Sequence, residues 1–321
     1  MLAAVVVGAM SGPKGQHFLP RRAYLHFFCR PTERGKIYLY QRGQKPLLTS
    51  IANVGKEGHL YSFKDTSGQL NTQIETEVFA AIDGYILPIM EKLNSAELAV
   101  RLDRTEAETL IVFLAFQLVR TPAFRDDLYR FDADMAAKVR TCVKLEEMKE
   151  VIKREIGVTP PDDEVLAFWE SASQRIVEQL SAKDYWLRNI RRYARRFVDA
   201  IGLKIPALLR SECEHFVTSD YPVVINHGLG LGDSDLYFPV GSHTALYFRA
   251  RPEREMGPGI DIPLIRVGGE ETRMMNKRAI LSAERYIYAA VERDGVRRLF
   301  DKSKPPQRMK APPVSEILAI N

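Results

Sequence analysis

The chain has 321 residues, of which 45% are hydrophobic and 27% are charged, and its formal net charge is +5. This composition excludes a disordered or fibrous protein, and the length allows one large domain that buries roughly three quarters of its unfolded surface. The basic excess favours anionic partners only where the charges gather on one face.

The cysteine pattern and the N-terminus bear on location. Cys29, Cys142 and Cys213 are too widely separated to suggest a disulfide framework or a zinc knuckle, so a reducing, cytoplasmic compartment is expected. Residues 2–9 are apolar, but the run is far shorter than the ~20 residues of a membrane span and lacks a basic n-region. Residues 1–15 are therefore interpreted as a flexible extension, and no membrane association is predicted.

A small β element is expected near the N-terminus. Pro20 can open a short buried helix over residues 21–28. The β-rich runs at residues 37–40 and 59–63 follow, and Gly43 marks a turn after the first. The two runs together predict a hairpin or a short edge sheet.

A helical block is predicted from about residue 73 to about residue 209. Apolar residues recur at helical spacing over residues 73–93, and the next helix starts at the capping-box pair Thr105 and Glu108. That second helix is apolar on nearly every side up to Arg120, which predicts a position in the core, and Pro122 is expected to end it. Three further helices are predicted over residues 126–150, 162–180 and 183–201.

Short β-type runs divided by Gly, Asp and Pro occupy residues 212–268 and predict a mostly antiparallel sheet. A final helix is expected over residues 270–294, and residues 301–321 are interpreted as a C-terminal tail. The predicted fold class is α+β. A single domain over residues 16–300 would pack its central helical block against the C-terminal sheet.

Five short motifs occur in an order that resembles the bacterial domain-of-unknown-function family 4238. They are Gln16-His17-x-x-Pro20, Gln117-x-x-Arg120-Thr121-Pro122, Thr218-Ser219-Asp220-x-Pro222, Phe238-Pro239, and Asn276 before Ala283-x-x-x-Ile287-Tyr288. The resemblance implies a shared fold and a bacterial origin, and it implies no activity. One departure is Asp83, which stands where such proteins usually carry glutamate and shortens the reach of the carboxylate.

His17 is the first candidate for chemistry, because a histidine titrates near neutrality and can act as general acid or base. Its neighbour Gln16 is assigned to substrate binding. The alternative is a histidine that bonds a backbone carbonyl and anchors the N-terminal segment.

Gln117 and Arg120 lie three residues apart, on one face of the apolar helix. If these residues belong to an active site, the planar guanidinium of Arg120 would bind a phosphate or carboxylate of the substrate. In the alternative, Arg120 forms a buried structural pair with a carboxylate such as Asp83 or Asp220.

Ser219 and Asp220 follow a β-type run, where loops often carry sites. Asp220 could orient His17 or bind a metal, and Ser219 could contact substrate or act as a nucleophile if a base is near. Asp83 and Asn276 would be supporting polar groups. Equally, the side chains of Ser219 and Asp220 could bond the local backbone in an Asx or Ser/Thr turn.

Two weaker signals concern nucleic acid. The glycines within residues 228–232 precede a strand and not a helix, which favours a hairpin loop over a nucleotide loop. Arg188, Arg191, Arg192 and Arg195 fall on one helix side near aromatic residues, a mixture typical of single-strand binding, although a solvated basic face is the alternative.

The sequence therefore predicts a hydrolase or nuclease for an anionic phosphate-bearing substrate such as nucleic acid. His17, Asp83 and Asp220 are the expected catalytic groups. No metal-ligand spacing occurs and no cofactor is predicted, which leaves a divalent metal open. The alternatives are a non-catalytic nucleic-acid or protein binding module and a defence or toxin protein, and the oligomeric state is undetermined.

Overall fold

The protein is described from a computed structural model. The described residues are 15–64, 68, 70–142, 144–181, 183–226, 234–250, 259–306 and 308–309. The N-terminal extension up to residue 14, the tail beyond residue 309 and the predicted glycine-rich loop at 228–232 lie outside them.

The chain forms two compact units. One comprises Met1–Pro122 with Ile190–Pro306, and the other comprises Ala123–Asn189 with Gln307–Asn321. Helices and sheets are both abundant, which confirms the predicted α+β class.

The N-terminal part of the first unit is built from short strands. They are β1 (Gly15–His17), β2 (Lys36–Gln41), β3 (Leu47–Ser50), β4 (Lys56–Gly58), β5 (Phe63–Lys64) and β6 (Leu70–Asn71), with a 3₁₀ helix at Leu25–Phe28. The expected β element is present, but β2 pairs with β3 and not with residues 59–63. His59 has a φ of 50°, so the chain turns where the second strand was expected.

A π-helical segment, Ile74–Phe79, leads directly into α1 (Ala80–Asn94), and β7 (Val100–Asp103) precedes α2 (Arg104–Val119). The capping box at the start of α2 is formed by Asp103 and Glu106, two residues before the predicted pair. Helix α2 is buried on several sides, as its composition predicted.

The second unit is mainly helical. It contains α3 (Pro122–Cys142), α4 (Leu145–Ile156), α5 (Asp162–Ser181) and the beginning of α6 (Lys183–Gly202). The helix predicted over residues 126–150 is thus two helices. Pro122 opens α3 instead of only ending α2, because a proline lacks the N–H that the first helical turn leaves unbonded.

The remaining strands of the first unit are β8 (Lys204–Ser211), β9 (Thr218–Ser219), β10 (Val224–Ile225), β11 (Leu236–Pro239), β12 (Thr244–Ala250), β13 (Gly259–Ile262), β14 (Leu264–Val267) and β15 (Tyr286–Ala289). Helices α7 (Gly269–Ser282) and α8 (Asp294–Lys302) flank β15. The helical block therefore ends at 202, not at 209. The final helix predicted over residues 270–294 is interrupted by β15.

Within the described residues, one sheet has the strand order β10-β11-β12-β8-β14 and another has the order β3-β2-β15-β9. All these pairings are antiparallel except β8 with β14. Helix α2 contacts β7 and β13, and α7 contacts β9 and β10, so helices pack on strands as expected.

No single helix in the described part of the chain is long and apolar enough to cross a membrane. The broken pair α2 and α3 meets such a test together, by length and composition only.

Candidate active site

Arg120 is the centre of a polar cluster at the end of α2, and its side chain is fully buried. Its Nε and Nη2 donate to Oε1 of Gln117 at 2.9 and 2.5 Å, and its Nη1 donates to Oδ1 of Asp83 at 2.9 Å. The rings of Phe79 and Phe113 lie 5.4 and 5.7 Å from the guanidinium carbon. Arg120 therefore supplies a fixed positive charge in an apolar enclosure.

Gln117 and Gln16 join this cluster to the N-terminal strand. Gln117 donates from Nε2 to the carbonyl of Phe18 at 2.9 Å, and Gln16 accepts at Oε1 from the backbone N–H of Tyr61 at 2.6 Å. The Tyr61 hydroxyl donates to the carbonyl of Arg120 at 2.6 Å. Because these side chains are buried and bonded to protein groups, we reassign Gln16, Gln117 and Arg120 from substrate binding to holding the site in shape.

Glu75 lies in the π-helical segment and was not identified from the sequence. Burial raises the pKa of its carboxyl to about 7, and the Asp83 charge adds to this rise. The Arg120 charge and the backbone N–H of His17 oppose it. Oε2 of Glu75 is buried without a hydrogen-bond partner among the described groups. A carboxyl in this state can gain or lose a proton near neutral pH.

His17 lies at the end of β1, and its backbone N–H is hydrogen-bonded to the Glu75 carboxyl. Burial lowers the pKa of its imidazole below 6.5, and the charges of Arg21, Lys56 and Arg120 lower it further, while a hydrogen bond at the Val54 backbone acts in the opposite direction. Nδ1 is buried and has no hydrogen-bond partner within the described ranges. The imidazole is therefore neutral at pH 7 and able to accept a proton.

Two exposed cations border His17. Lys56 pairs with it across the β1–β4 ladder, and Arg21 follows it by four residues in the turn after β1. Both side chains reach solvent, unlike that of Arg120. The groups able to meet a soluble anion near His17 are thus Arg21 and Lys56, neither of which stood out in the sequence.

Asp220 makes contacts of a different kind. Its Oδ1 accepts from the backbone N–H of Glu284, and its Oδ2 accepts from those of Arg285 and Tyr286, at 2.6 to 3.1 Å. The charges that act on the His17 pKa come from the three cations described above. Asp220 therefore fixes the turn before β15, and its contacts offer no support for a role in orienting His17.

Ser219 and Asn276 also bond the local backbone. Ser219 Oγ donates to the carbonyl of Tyr221 at 2.8 Å and accepts from its N–H at 3.1 Å, which is the Ser/Thr-turn alternative. Asn276 accepts from the N–H of Val217 and donates to the carbonyl of His215. The structure thus brings Gln16, His17, Asp83, Gln117 and Arg120 together, and it places Ser219, Asp220 and Asn276 in the framework of α7, β9 and β15.

The predicted basic helix face is exposed. Arg188, Arg191, Arg192 and Arg195 on α6 reach solvent, whereas Trp186 is fully buried. The arginines can contact phosphates, but this tryptophan cannot stack on a base. No group of three or more His, Cys, Asp or Glu side chains that could hold a metal ion occurs among the described residues.

Fold and site together define an α+β protein in which a buried arginine, paired with a partly exposed aspartate, lies near a titratable glutamate and a histidine. The family model described as a protein of unknown function, DUF4238, matches residues 15–292, and the chain belongs to that family. Neither the curated proteins nor the solved structures contain a match to this chain.

Proposed function

We propose that the protein is a hydrolase that cleaves an anionic, phosphate-bearing substrate with His17 as general base and Glu75 as general acid. The observation that carries this proposal is the carboxyl of Glu75, whose pKa is raised to about 7 and which is hydrogen-bonded to the backbone N–H of His17, the residue whose imidazole pKa is lowered. Two residues in contact, one with a raised and the other with a lowered side-chain pKa, are typical of acid–base catalysis.

The charges favour an anionic substrate. Arg21 and Lys56 are exposed next to His17, and the buried Arg120 adds a positive field that water does not screen fully. A phosphate ester carries its charge close to the bond that breaks, so these cations would stabilise the charge that develops during hydrolysis.

The proposed reaction balances with these two groups. His17 accepts a proton from water as the water oxygen forms a bond to phosphorus. The bond from phosphorus to the leaving oxygen breaks, and Glu75 donates its proton to that oxygen. Solvent then takes the proton from His17 and returns one to Glu75, so both groups regain their starting states. Asp83 and Arg120 act as positioning residues for this pair.

A cytoplasmic location is part of the proposal. Cys213 is exposed and Cys29 is half-buried, and both are free thiols. Free, accessible thiols are typical of a reducing compartment.

The test is hydrolysis of a defined panel by the purified chain: a phosphomonoester, a phosphodiester, single-stranded RNA and single-stranded DNA, each with and without added Mg²⁺. We expect Glu75→Gln and His17→Asn each to lower the rate by about 10²-fold or more, which is the usual contribution of an acid–base group. Glu77→Gln is the matched control, because Glu77 is an exposed carboxylate of the same π-helical segment.

The pH profile gives an independent check. The rate should rise as His17 loses its proton below pH 6.5 and fall as Glu75 loses its proton near pH 7. Full activity in Glu75→Gln, or equal losses in Glu75→Gln and Glu77→Gln, would contradict the assigned role. Absence of hydrolysis across the panel would favour a binding module.

A further inference from the structure

Helix α6 presents a row of exposed arginines. Arg191, Arg192, Arg195 and Arg196 all reach solvent. At 3.6 residues per turn they fall within an arc of roughly 140°, and they span about 8 Å of the helix axis. Arg188 lies one turn earlier on the same helix but in the other compact unit, so the argument rests on the four that follow it.

These four guanidinium groups form no ion pair with any residue that the structure describes. Arginines elsewhere in the same unit are commonly paired, as in Arg101 with Asp261, Arg104 with Glu108 and Arg210 with Glu97. On the arginine side of α6, Asp199 is the acidic residue among the described side chains. The face therefore carries four arginines against one aspartate and is a concentrated surface of net positive charge.

We propose that this arginine face of α6 binds the phosphate backbone of a nucleic-acid strand without reading its base sequence. Guanidinium groups donate in a fork that matches phosphate oxygens, and four in a row suit a ligand with regularly spaced charges. Base stacking does not contribute through Trp186, because that ring is fully buried.

An anionic membrane fits this helix less well than nucleic acid does. A helix that binds a lipid surface inserts its apolar side among the acyl chains. The apolar side of α6 is already used, since Ile190, Ala194 and Ile201 are buried in the protein. The surface goes beyond the proposed hydrolase, because neither His17 nor Glu75 takes part in it.

The experiment measures fluorescence anisotropy of labelled RNA and DNA strands of about 20 nucleotides with the full chain, at about 50 and about 200 mM salt. Four phosphate contacts on a single strand predict a slope near −3 for log K against log salt, which is about 50-fold weaker binding at the higher salt. The charge-reversal variant changes four residues to glutamate: Arg191, Arg192, Arg195 and Arg196. We expect it to bind at least about tenfold more weakly, with a slope reduced by about 3.

The matched control carries the same change in net charge elsewhere on the surface. It replaces four exposed cations with glutamate: Arg34, Arg298, Lys302 and Lys304. This variant should bind nearly as well as the wild type. Equal weakening of both variants would show that only net charge matters and would overturn the assigned surface.

Circular dichroism shows whether the fourfold change disturbs folding. A milder variant, Arg191→Gln with Arg195→Gln, tests the same surface if it does. The slope of log K against log salt should fall by about half as much in this double variant as in the fourfold variant. Unchanged strand binding in that variant overturns the proposal, and so does arginine-dependent binding to phosphatidylserine vesicles without strand binding. Glu75→Gln should bind strands normally even where it abolishes hydrolysis, so this inference and the proposed hydrolase can fail separately.

Discussion

Glu75→Gln should change the way stability depends on pH. The unfolded carboxyl loses its proton near its ordinary value of 4.5, whereas the folded one keeps it to about 7. Between these values the folded state binds more protons than the unfolded state, so the free energy of unfolding falls as pH rises. The contribution of Glu75 is complete below pH 4.5 and is lost as pH rises through about 7. Glutamine does not titrate and lacks this contribution.

The size of the effect follows from the shift. Each pKa unit corresponds to ~1.36 kcal/mol, so the rise from 4.5 to about 7 sets an upper limit near ~3 kcal/mol. Glu75 is only half-buried, and solvent screening lowers the expected value to about 2 kcal/mol. Urea unfolding of wild type and Glu75→Gln at pH 5 and pH 8 measures it. The wild type should lose most of this ~2 kcal/mol relative to the variant across that interval.

The comparison does not depend on how well glutamine packs, because a packing cost is the same at both pH values. The exposed Glu77 provides the control, and Glu77→Gln should parallel the wild type. If the curves of wild type and Glu75→Gln were parallel between pH 5 and pH 8, Glu75 would titrate normally. A normal pKa for Glu75 would contradict its assignment as general acid.

Three further changes probe the neighbouring groups. The wild type should lose stability below pH 6.5, because burial makes protonation of the folded His17 imidazole unfavourable, and His17→Asn should remove this loss. Melting temperatures of both proteins at pH 5 and pH 7.5 measure it. An equal change in melting temperature between the two pH values in both proteins would contradict it. Asp83→Asn leaves the Arg120 charge buried and should cost about 2 kcal/mol, less than a fully buried pair because Asp83 is 29% exposed. A double-mutant cycle with Arg120→Met should show a coupling energy above about 0.5 kcal/mol, and additivity would refute the pair. Asp220→Ala should lower the melting temperature by removing the acceptor of three backbone N–H groups, while hydrolysis by the folded fraction stays at the wild-type rate.

The sequence predicts part of the site for a clear physical reason. Gln117 and Arg120 are polar groups on an apolar helix, and a buried cation requires a carboxylate partner. Asp83 was one of two candidates for that partner, and it forms the ion pair. Helical spacing and charge compensation were sufficient for this part because they are local rules.

Glu75 was not predicted as a site residue because it lies in a π-helical segment and not in a regular α-helix. The apolar periodicity over residues 73–93 predicts a regular helix of 3.6 residues per turn, whereas a π turn contains one additional residue. The additional residue rotates everything before it by about 100° relative to α1, which brings Glu75 towards Asp83 and Arg120. Nothing in the local composition distinguishes such a turn from an α-helical one.

The strand β15 was not predicted from the sequence for a different reason. Its residues form a short apolar run that suits a helix or a buried strand equally well. The decision is made by partners distant in sequence: β2 and β9 pair with β15 on its two sides, and Asp220 binds the backbone N–H groups of residues 284–286 just before it. Those partners also explain why Asp220 resembled a catalytic residue, since a carboxylate at a strand end serves either purpose.

The protonation states of the cluster depend on one another and on the substrate. Arg120 is positive and Asp83 is negative, so a protonated Glu75 leaves these three groups neutral together. An anionic substrate near Arg21 and Lys56 would raise the proton affinity of both Glu75 and His17, because negative charge stabilises the protonated form of each. Glu75 would then hold its proton more firmly as the substrate arrives, which a general acid requires. His17 would stay free to accept a proton only while its burial and the three surrounding cations outweigh the substrate charge. The alkaline limb of the rate profile should therefore move to higher pH at saturating substrate, and the acidic limb should move with it.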